Sequence, residues 1–306
     1  MVITRTPLRI SFVGGGSDRP SFYSEEPGAC VAAAIDKYVT VVVSDKYDGS
    51  IRVAYSRTED VQQIDDLQHE LAREALRVNG QRGVEIHSIA DVPGGTGLGS
   101  SSAFTVGLLK ALTPSAPAAA LADWACEIEM ERCKKPIGKQ DQCATAFGGV
   151  NLLSFTSKGV IVKPIGCDYE ALSQHCLLLD TGLVRSGDAG QHLASQQQDR
   201  DDVRQLSRFA REFARWLERG SYVCCGDVMH TAWQIKRKFV GERFDYLYRT
   251  AMNEGAWGGK LCGAGGGGFL LFLAPPERHQ VIIDALGLRH VPIRVGMEGS
   301  RVVFDS

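Results

Sequence analysis

Twelve of the 34 glycines in this chain fall in three clusters, Gly14–Gly16, Gly94–Gly99 and Gly263–Gly268. Each adjoins an apolar run: "LRISFV" precedes the first, "AFTVGLLKAL" follows the second and "FLLFL" follows the third. A residue without a Cβ lets the backbone turn tightly and approach a ligand or another segment. Any fold for this sequence must accommodate three such turns at the ends of buried elements.

The middle cluster is the most informative. "DVPGGTGLGSSSAF", Asp91 to Phe104, leads from an alternating strand, "GVEIHSIAD", into an apolar stretch with no turn residue before Thr113-Pro114. That stretch reads as a buried helix, so its free N–H groups and positive dipole end point back into the loop. Gly94 and Gly99 have the separation of a Walker A loop, but Ser100 stands where its lysine belongs. Pro93, Gly94, Gly95, Gly97, Leu98, Gly99, Ser100, Ser101 and Ser102 therefore form a different phosphate cradle, whose serine hydroxyls suit phosphate oxygens or Mg²⁺. The third cluster formally satisfies G-x-G-x-x-G through Gly263, Gly265 and Gly268. It precedes a strand rather than opening a helix, which excludes a dinucleotide motif. Its backbone is expected to pack closely on a ligand or on the middle loop.

Composition narrows the class. With 44% hydrophobic and 23% charged residues and a net charge of −2, the chain reads as an ordinary globular protein with no affinity for nucleic acid or an anionic membrane. No run approaches the roughly 20 apolar residues of a membrane span. Arginines interrupt the N-terminal apolar run, unlike a secretory signal. The nine scattered cysteines lack a C-x-x-C pair, and the seven histidines lack H-x-x-x-H spacing, so neither a disulfide frame nor a zinc site is expected. Reduced, mostly buried thiols in a cytoplasm are the reading.

Along the chain, "CVAAAIDKYVTVVVSDKY" reads as a strand and "DDLQHELAREALRVNG" as an amphipathic helix with Leu67, Leu71 and Leu76 on one face. "AAALADWACEIEMERCKK" reads as one helix ending before Pro136, and "GGVNLLSF" with "GVIVKPI" as a hairpin-like pair. A second half begins near Gly166, with a strand "HCLLLDTG" and a long helix carrying Leu206, Phe209, Phe213, Trp216 and Leu217. It closes with strands "FLLFLAPP", "HVPIRVG" and "RVVF". The pattern is α+β in two lobes, divided at 1–165 and 166–306.

"PLRISFVGGGSD", "PGGTGLGSSSA" and "CGAGGGGF" stand in the order that resembles the GHMP kinase superfamily, from one end of the chain to the other. "TRTPLRISFVGGGSD", "AAIDKYV", "PIGKQDQCATAFGG", "DTGLVRSG" and "GGKLCGAGGGGFLLF" are most similar to bacterial D-glycero-D-manno-heptose 7-phosphate kinases. That resemblance implies an N-lobe like the second domain of ribosomal protein S5, a ferredoxin-like C-lobe, and ATP and substrate in the cleft between them. It also implies phosphoryl transfer to the anomeric C1 hydroxyl of a heptose 7-phosphate, for surface polysaccharide synthesis.

Site residues follow from the same resemblance. Asp141 in "GKQDQ" is implied as the catalytic base, and Arg9 as the cation beside it. Ser101 or Ser102 and Glu129, rather than Glu131, are implied as ligands of Mg²⁺. Gly15, Gly16, Ser17 and Asp18 would bind sugar hydroxyls, with Gly265 and Gly266 near the substrate. Lys139, Arg185 and Lys260 are candidates for the distal phosphate, with Arg185 preferred. The implied partners are a small-molecule sugar phosphate and, left open, a second copy of the chain. His230 and Trp233 read as core or cleft lining. Arg19 departs from the apolar residue expected after Asp18, and the segment between Ser56 and Val84 is short for the superfamily. The alternatives are an L-fucose or other free-sugar kinase, and a non-catalytic sensor of nucleotide or sugar.

Overall fold

The structure, a computed structural model, describes residues 1–183, 199–263 and 266–306. Strand β1 (Val2–Val13) leads through a glycine turn and a single helical turn, α1 (Pro20–Tyr23), into β2 (Gly28–Asp45). The two pair antiparallel along nearly their whole lengths, with Leu8 opposite Ile35 and Arg9 opposite Ala34. β1 is buried at every residue from Thr6 to Val13, so both of its faces are covered. The 18-residue β2 is long enough to serve two partners on its other edge. Its second half pairs with β5 (Val84–Ala90) and its first half with β6 (Val150–Thr156). β6 continues into the hairpin partner β7 (Gly159–Pro164), as the alternation of those segments suggests.

Between β2 and β5 lie β3 (Ile51–Ala54), β4 (Thr58–Val61) and α2 (Glu70–Asn79). The His69 ring caps α2 by accepting the Ala72 N–H, and Gly80 ends it in a left-handed conformation at φ 65°. Leu67, Leu71 and Leu76 are buried together as their spacing suggests. After β5 come α3 (Ser100–Leu112), α4 (Ala118–Cys126) and α5 (Gln140–Phe147). The single helix expected over "AAALADWACEIEMERCKK" is in fact α4 followed by a π-helical turn, Glu127–Arg132. The wider turn rotates Glu129 inward while Glu131 stays exposed.

The second sheet has α6 (Tyr169–His175) leading into β8 (Cys176–Asp180), then α7 (Arg200–Glu218), α8 (Tyr222–Lys236) and α9 (Glu242–Asn253). It is completed by β9 (Gly258–Leu261), β10 (Phe269–Leu273) and β11 (Arg289–His290), with α10 (His279–Leu286) between the last two. Its order is β11-β8-β10-β9, antiparallel throughout. Period-two alternation lets this sheet serve two cores. Leu178, Leu271 and Leu273 face the main core, whereas Leu177, Leu179, Leu270 and Phe272 join Trp233, Tyr248 and Ile282 in a smaller one. α7 carries the main core across the lobes, with Phe213 stacked on Phe12 of β1 at 5.0 Å.

One boundary needs correcting. The last strand, β12 (Arg301–Asp305), does not stay with the second sheet but pairs with β1. The segment before it also returns, bridging Val295 to Ile35 and Glu298 to Gly148. A second unit spanning 166–306 therefore misassigns its final residues, and the strand expected over "HVPIRVG" is reduced to Arg289–His290. All nine cysteines are free thiols, six of them buried.

Candidate active site

A cavity of about 340 Å³ opens between the lobes. The middle glycine loop, the first glycine turn, the start of α5 and the inner side of α8 and β9 line it.

The loop reaches α3 through Gly99, whose φ of 76° is open to glycine and strained for other residues. No side chain caps this helix start, so its first N–H groups are available to a ligand. Gly95, Gly97, Gly99, Ser100, Ser101 and Ser102 line the cavity. Pro93, Gly94 and Leu98 do not. Leu98 is fully buried, and its carbonyl accepts the Arg9 backbone N–H at 3.0 Å. The far end of the third cluster packs on this loop: a Cβ on Gly268 would lie 2.0 Å from the Thr96 carbonyl oxygen. Gly266 is absent from the cavity wall, where Gly263 stands instead, and Gly265 lies outside the described residues.

Arg9 and Asp141, far apart in sequence, meet in a bidentate pair. Arg9 Nε donates to Asp141 Oδ1 at 2.8 Å and Nη2 to Oδ2 at 2.6 Å. Arg9 Nη1 also donates to the Gly97 carbonyl at 2.7 Å, so one guanidinium ties the middle glycine loop to the carboxylate. Arg9 is 4% exposed and Asp141 29%, the carboxylate facing the cavity.

The first glycine turn presents Asp18. Its Oδ1 accepts the Gly16 N–H at 3.1 Å and its Oδ2 the Gln140 N–H at 3.3 Å. Burial, and then the charge of Asp141, push its pKa above the usual carboxylate range. Gly15 and Gly16 line the cavity beside it, and a Cβ on Gly15 would meet open space. Ser17 requires correction as a sugar ligand. It is fully buried; its one hydroxyl proton lies between the Gly14 and Ala29 carbonyls, at 2.9 and 3.0 Å, and its oxygen accepts the Ala29 N–H.

Glu129 is 1% exposed and reaches the loop from the π-helical turn. Its Oε2 accepts the Ser102 hydroxyl at 3.0 Å, and its Oε1 has no partner among the described residues. Burial raises its pKa to about 8, with Asp141 adding to the rise. Gln142, fully buried and close enough to weigh on that carboxyl, has neither amide atom paired among the described residues. Orphaned buried polar atoms beside a hydroxyl at the cavity wall suit a cation with few protein ligands. No cage of three or more His, Cys, Asp or Glu exists among the described residues.

The distal-phosphate candidates separate. Lys139 does not line this cavity. Its ammonium lies over the Tyr23 ring at 5.3 Å, in an adjoining hollow. Lys260 does line it, with its Nζ 3.4 Å from Ser11 Oγ. Arg185 is outside the described residues. Arg19 and Lys135 line both hollows, which sequence reasoning noted only as a departure for Arg19 and missed for Lys135. Ser11, Gln140 and Lys236 were also missed, since each carries a common side chain in an ordinary element. Trp233 lines the cleft while stacking on Tyr248 at 4.5 Å, and His230 bonds the Tyr248 hydroxyl outside it.

The model for the GHMP kinases N terminal domain matches residues 66–149, and that for the GHMP kinases C terminal matches residues 200–291. The chain is 27% identical to a D-glycero-alpha-D-manno-heptose 7-phosphate kinase of Campylobacter jejuni, over 92% of each chain. It is 24% identical to a galactokinase of Pyrococcus furiosus, over 93% of this chain and 92% of that one. A solved D-glycero-D-manno-heptose 1-phosphate kinase from Bacteroides thetaiotaomicron superposes with a TM-score of 0.83 at 24% identity, covering all of both chains. No described helix is long and apolar enough to cross a membrane. With both family segments matched, in order, and flanking the cleft just described, the chain belongs to the GHMP kinases and is an ATP-dependent sugar kinase of that family.

Proposed function

We propose that the chain transfers the γ-phosphoryl group of ATP to the anomeric C1 hydroxyl of D-glycero-D-manno-heptose 7-phosphate. The Arg9–Asp141 pair carries the catalytic reading, because it puts a carboxylate oxygen at the cavity wall beside the phosphate loop. Phosphoryl transfer asks for an in-line hydroxyl, charge stabilisation on the phosphates and a proton acceptor. Asp141 Oδ2 takes the hydroxyl proton, and the anomeric hydroxyl is acidified by its ring oxygen. Arg9 holds the carboxylate and loop in one geometry, so little reorganises as charge develops. The N–H groups at the start of α3 receive phosphate oxygens, in place of the absent loop lysine.

Glu129 and Ser102, with Ser101 beside them, would hold Mg²⁺. When bound, the ion supplies charge neutralisation on the β- and γ-phosphates. A cation there also restores ionisation of the buried Glu129 carboxyl.

The substrate reading is supported by the full-length relative named for heptose 7-phosphate and by two features of this chain. Gly15 leaves the sugar end open, and Arg19 stands where the cavity meets the adjoining hollow. We assign the distal phosphate to Arg19. Nine free thiols and a requirement for ATP support a cytoplasmic setting.

The test is ADP release with Mg·ATP on heptose 7-phosphate, mannose 6-phosphate, mannose, L-fucose and galactose. Turnover confined to the heptose phosphate is expected. Turnover on a free sugar alone overturns the substrate, and silence with ATP still bound favours a sensor. Arg19→Leu is expected to raise KM about tenfold for the phosphorylated sugar, leaving KM for ATP within about twofold.

A further inference from the structure

Lys260 belongs to the second sheet, on β9, yet its Nζ crosses the cleft to donate to Ser11 Oγ on β1. Ser11 Oγ donates to Gln140 Oε1 at 2.9 Å. Gln140 Nε2 donates to Asp141 Oδ1 at 3.2 Å. A continuous hydrogen-bonded chain therefore joins the second lobe to the catalytic carboxylate.

The chain has a direction, and Lys260 sets it. An ammonium only donates, whereas a serine hydroxyl has one proton and can accept elsewhere. With Lys260 donating, the Ser11 proton is released towards Gln140. A proton arriving there requires the amide oxygen, so the amide nitrogen faces Asp141. Asp141 Oδ1 then accepts from both Gln140 Nε2 and Arg9 Nε, and its lone pairs are spent. Oδ2 accepts only from Arg9 Nη2 among the described residues, so it retains capacity towards the cavity.

We propose that Lys260 is a positioning residue: acting through Ser11 and Gln140, it saturates Asp141 Oδ1 and leaves Oδ2 as the proton acceptor. This rests on Asp141 being the base. The charged and titratable groups facing Lys260 are Arg9 on β1, Cys30 on β2, Cys262 just beyond β9 and Asp141 on α5. From α8, Lys236 donates to the neighbouring Leu261 and Gly263 carbonyls. Burial, aided by Arg9 and opposed by Asp141 and the thiols, lowers the Lys260 pKa from its ordinary value. The chain consequently loses its direction at a lower pH than an exposed lysine would allow.

The experiment compares Lys260→Met, Lys260→Arg, Ser11→Ala and the double variant Lys260→Met/Ser11→Ala, each checked by thermal melting. Lys260→Met and Ser11→Ala are each expected to lower kcat about tenfold to a hundredfold, with KM for ATP within about threefold. The double variant is expected to lose no more than the worse single one, because both break one chain. Lys260→Arg is expected to recover most of kcat and to carry the alkaline limb of its pH profile to higher pH, since guanidinium stays charged. Multiplicative losses in the double variant overturn the proposal, as does a raised sugar KM at unchanged kcat. If Lys260→Met does not fold, Ser11→Ala and the pH profile of Lys260→Arg decide alone. Asp141→Asn separates the two readings. A dead Asp141→Asn with wild-type kcat in Lys260→Met sinks the positioning role only, whereas an active Asp141→Asn removes the base and this proposal with it.

Discussion

Asp141 and Glu129 are both carboxylates at one cavity, and their surroundings differ. Asp141 is paired with Arg9, while the buried Glu129 meets no cation among the described residues, only the Ser102 hydroxyl at Oε2 and nearby neutral polar groups. Asp141→Asn is expected to lower kcat by about a thousandfold while a non-hydrolysable ATP analogue binds within about threefold of wild type; near-normal turnover removes Asp141 from the role of base. For Glu129 the prediction concerns pH. Its folded pKa of about 8 lies above its unfolded one, so between the two the native state holds a proton that the unfolded chain has lost. Stability of the metal-free protein therefore falls as pH rises from the ordinary glutamate range towards 8, and levels off above it. Glu129→Gln should flatten that slope in chemical denaturation without metal, and equal slopes would place the Glu129 proton elsewhere. At this scale the meeting of Arg9 with Asp141, and the place of Asp18 at the same cavity, were legible because family motifs mark those residues. Lys260 was legible as a cation at the cavity, but not its contact with Ser11, and Ser17 looked available because sequence does not show which way a turn hydroxyl points.

Elements place those residues through close backbone approach. Gly268 sits against the Thr96 carbonyl with φ at 98°, and so braces the middle glycine loop from the second lobe. Gly49 has a comparable φ of 74° with nothing near its Cβ direction, which makes it a control for backbone strain alone. Gly49→Ala is expected to cost about 1 kcal/mol. Gly268→Ala should cost several times as much, and should raise KM for ATP about tenfold as the loop is displaced. Equal melting temperatures for the two would mean that the glycine loops do not brace one another. The packing of these loops was readable from the sequence because glycine clusters are local signals. The π-helical turn at Glu127–Arg132 was not, since its periodicity differs from that of an α-helix by a single inserted residue. β3 and β4 escaped for a related reason: each is only four residues long, too short for its alternation to stand out from its surroundings.

At the scale of the whole molecule, the second lobe is held by elements that return to the first. α7 stacks Phe213 on Phe12, Arg200 and Arg204 bind Glu26, and β12 closes the outer edge of β1. That last return was invisible in the sequence, because "RVVF" announces a strand without naming its neighbour. Its contribution can be bounded. β12 pairs four residues of β1, from Val2 to Arg5, and leaves Val303 and Phe304 nearly half exposed. Ladder hydrogen bonds rather than apolar burial therefore dominate, at roughly 0.5–1.5 kcal/mol net for each bond. Deleting Arg301–Ser306 keeps the bridges of Val295 and Glu298 but opens the β1 edge. The melting temperature is expected to fall by roughly 5–10 °C, with some tendency to associate through the bared strand. Arg9 and Ser11 lie beyond the paired stretch, on the part of β1 held by β2. At 25 °C the truncated chain should therefore keep kcat and KM for ATP within about twofold of the full chain. A fall in kcat without a fall in melting temperature would show that β12 governs the position of Arg9 rather than the stability of the sheet.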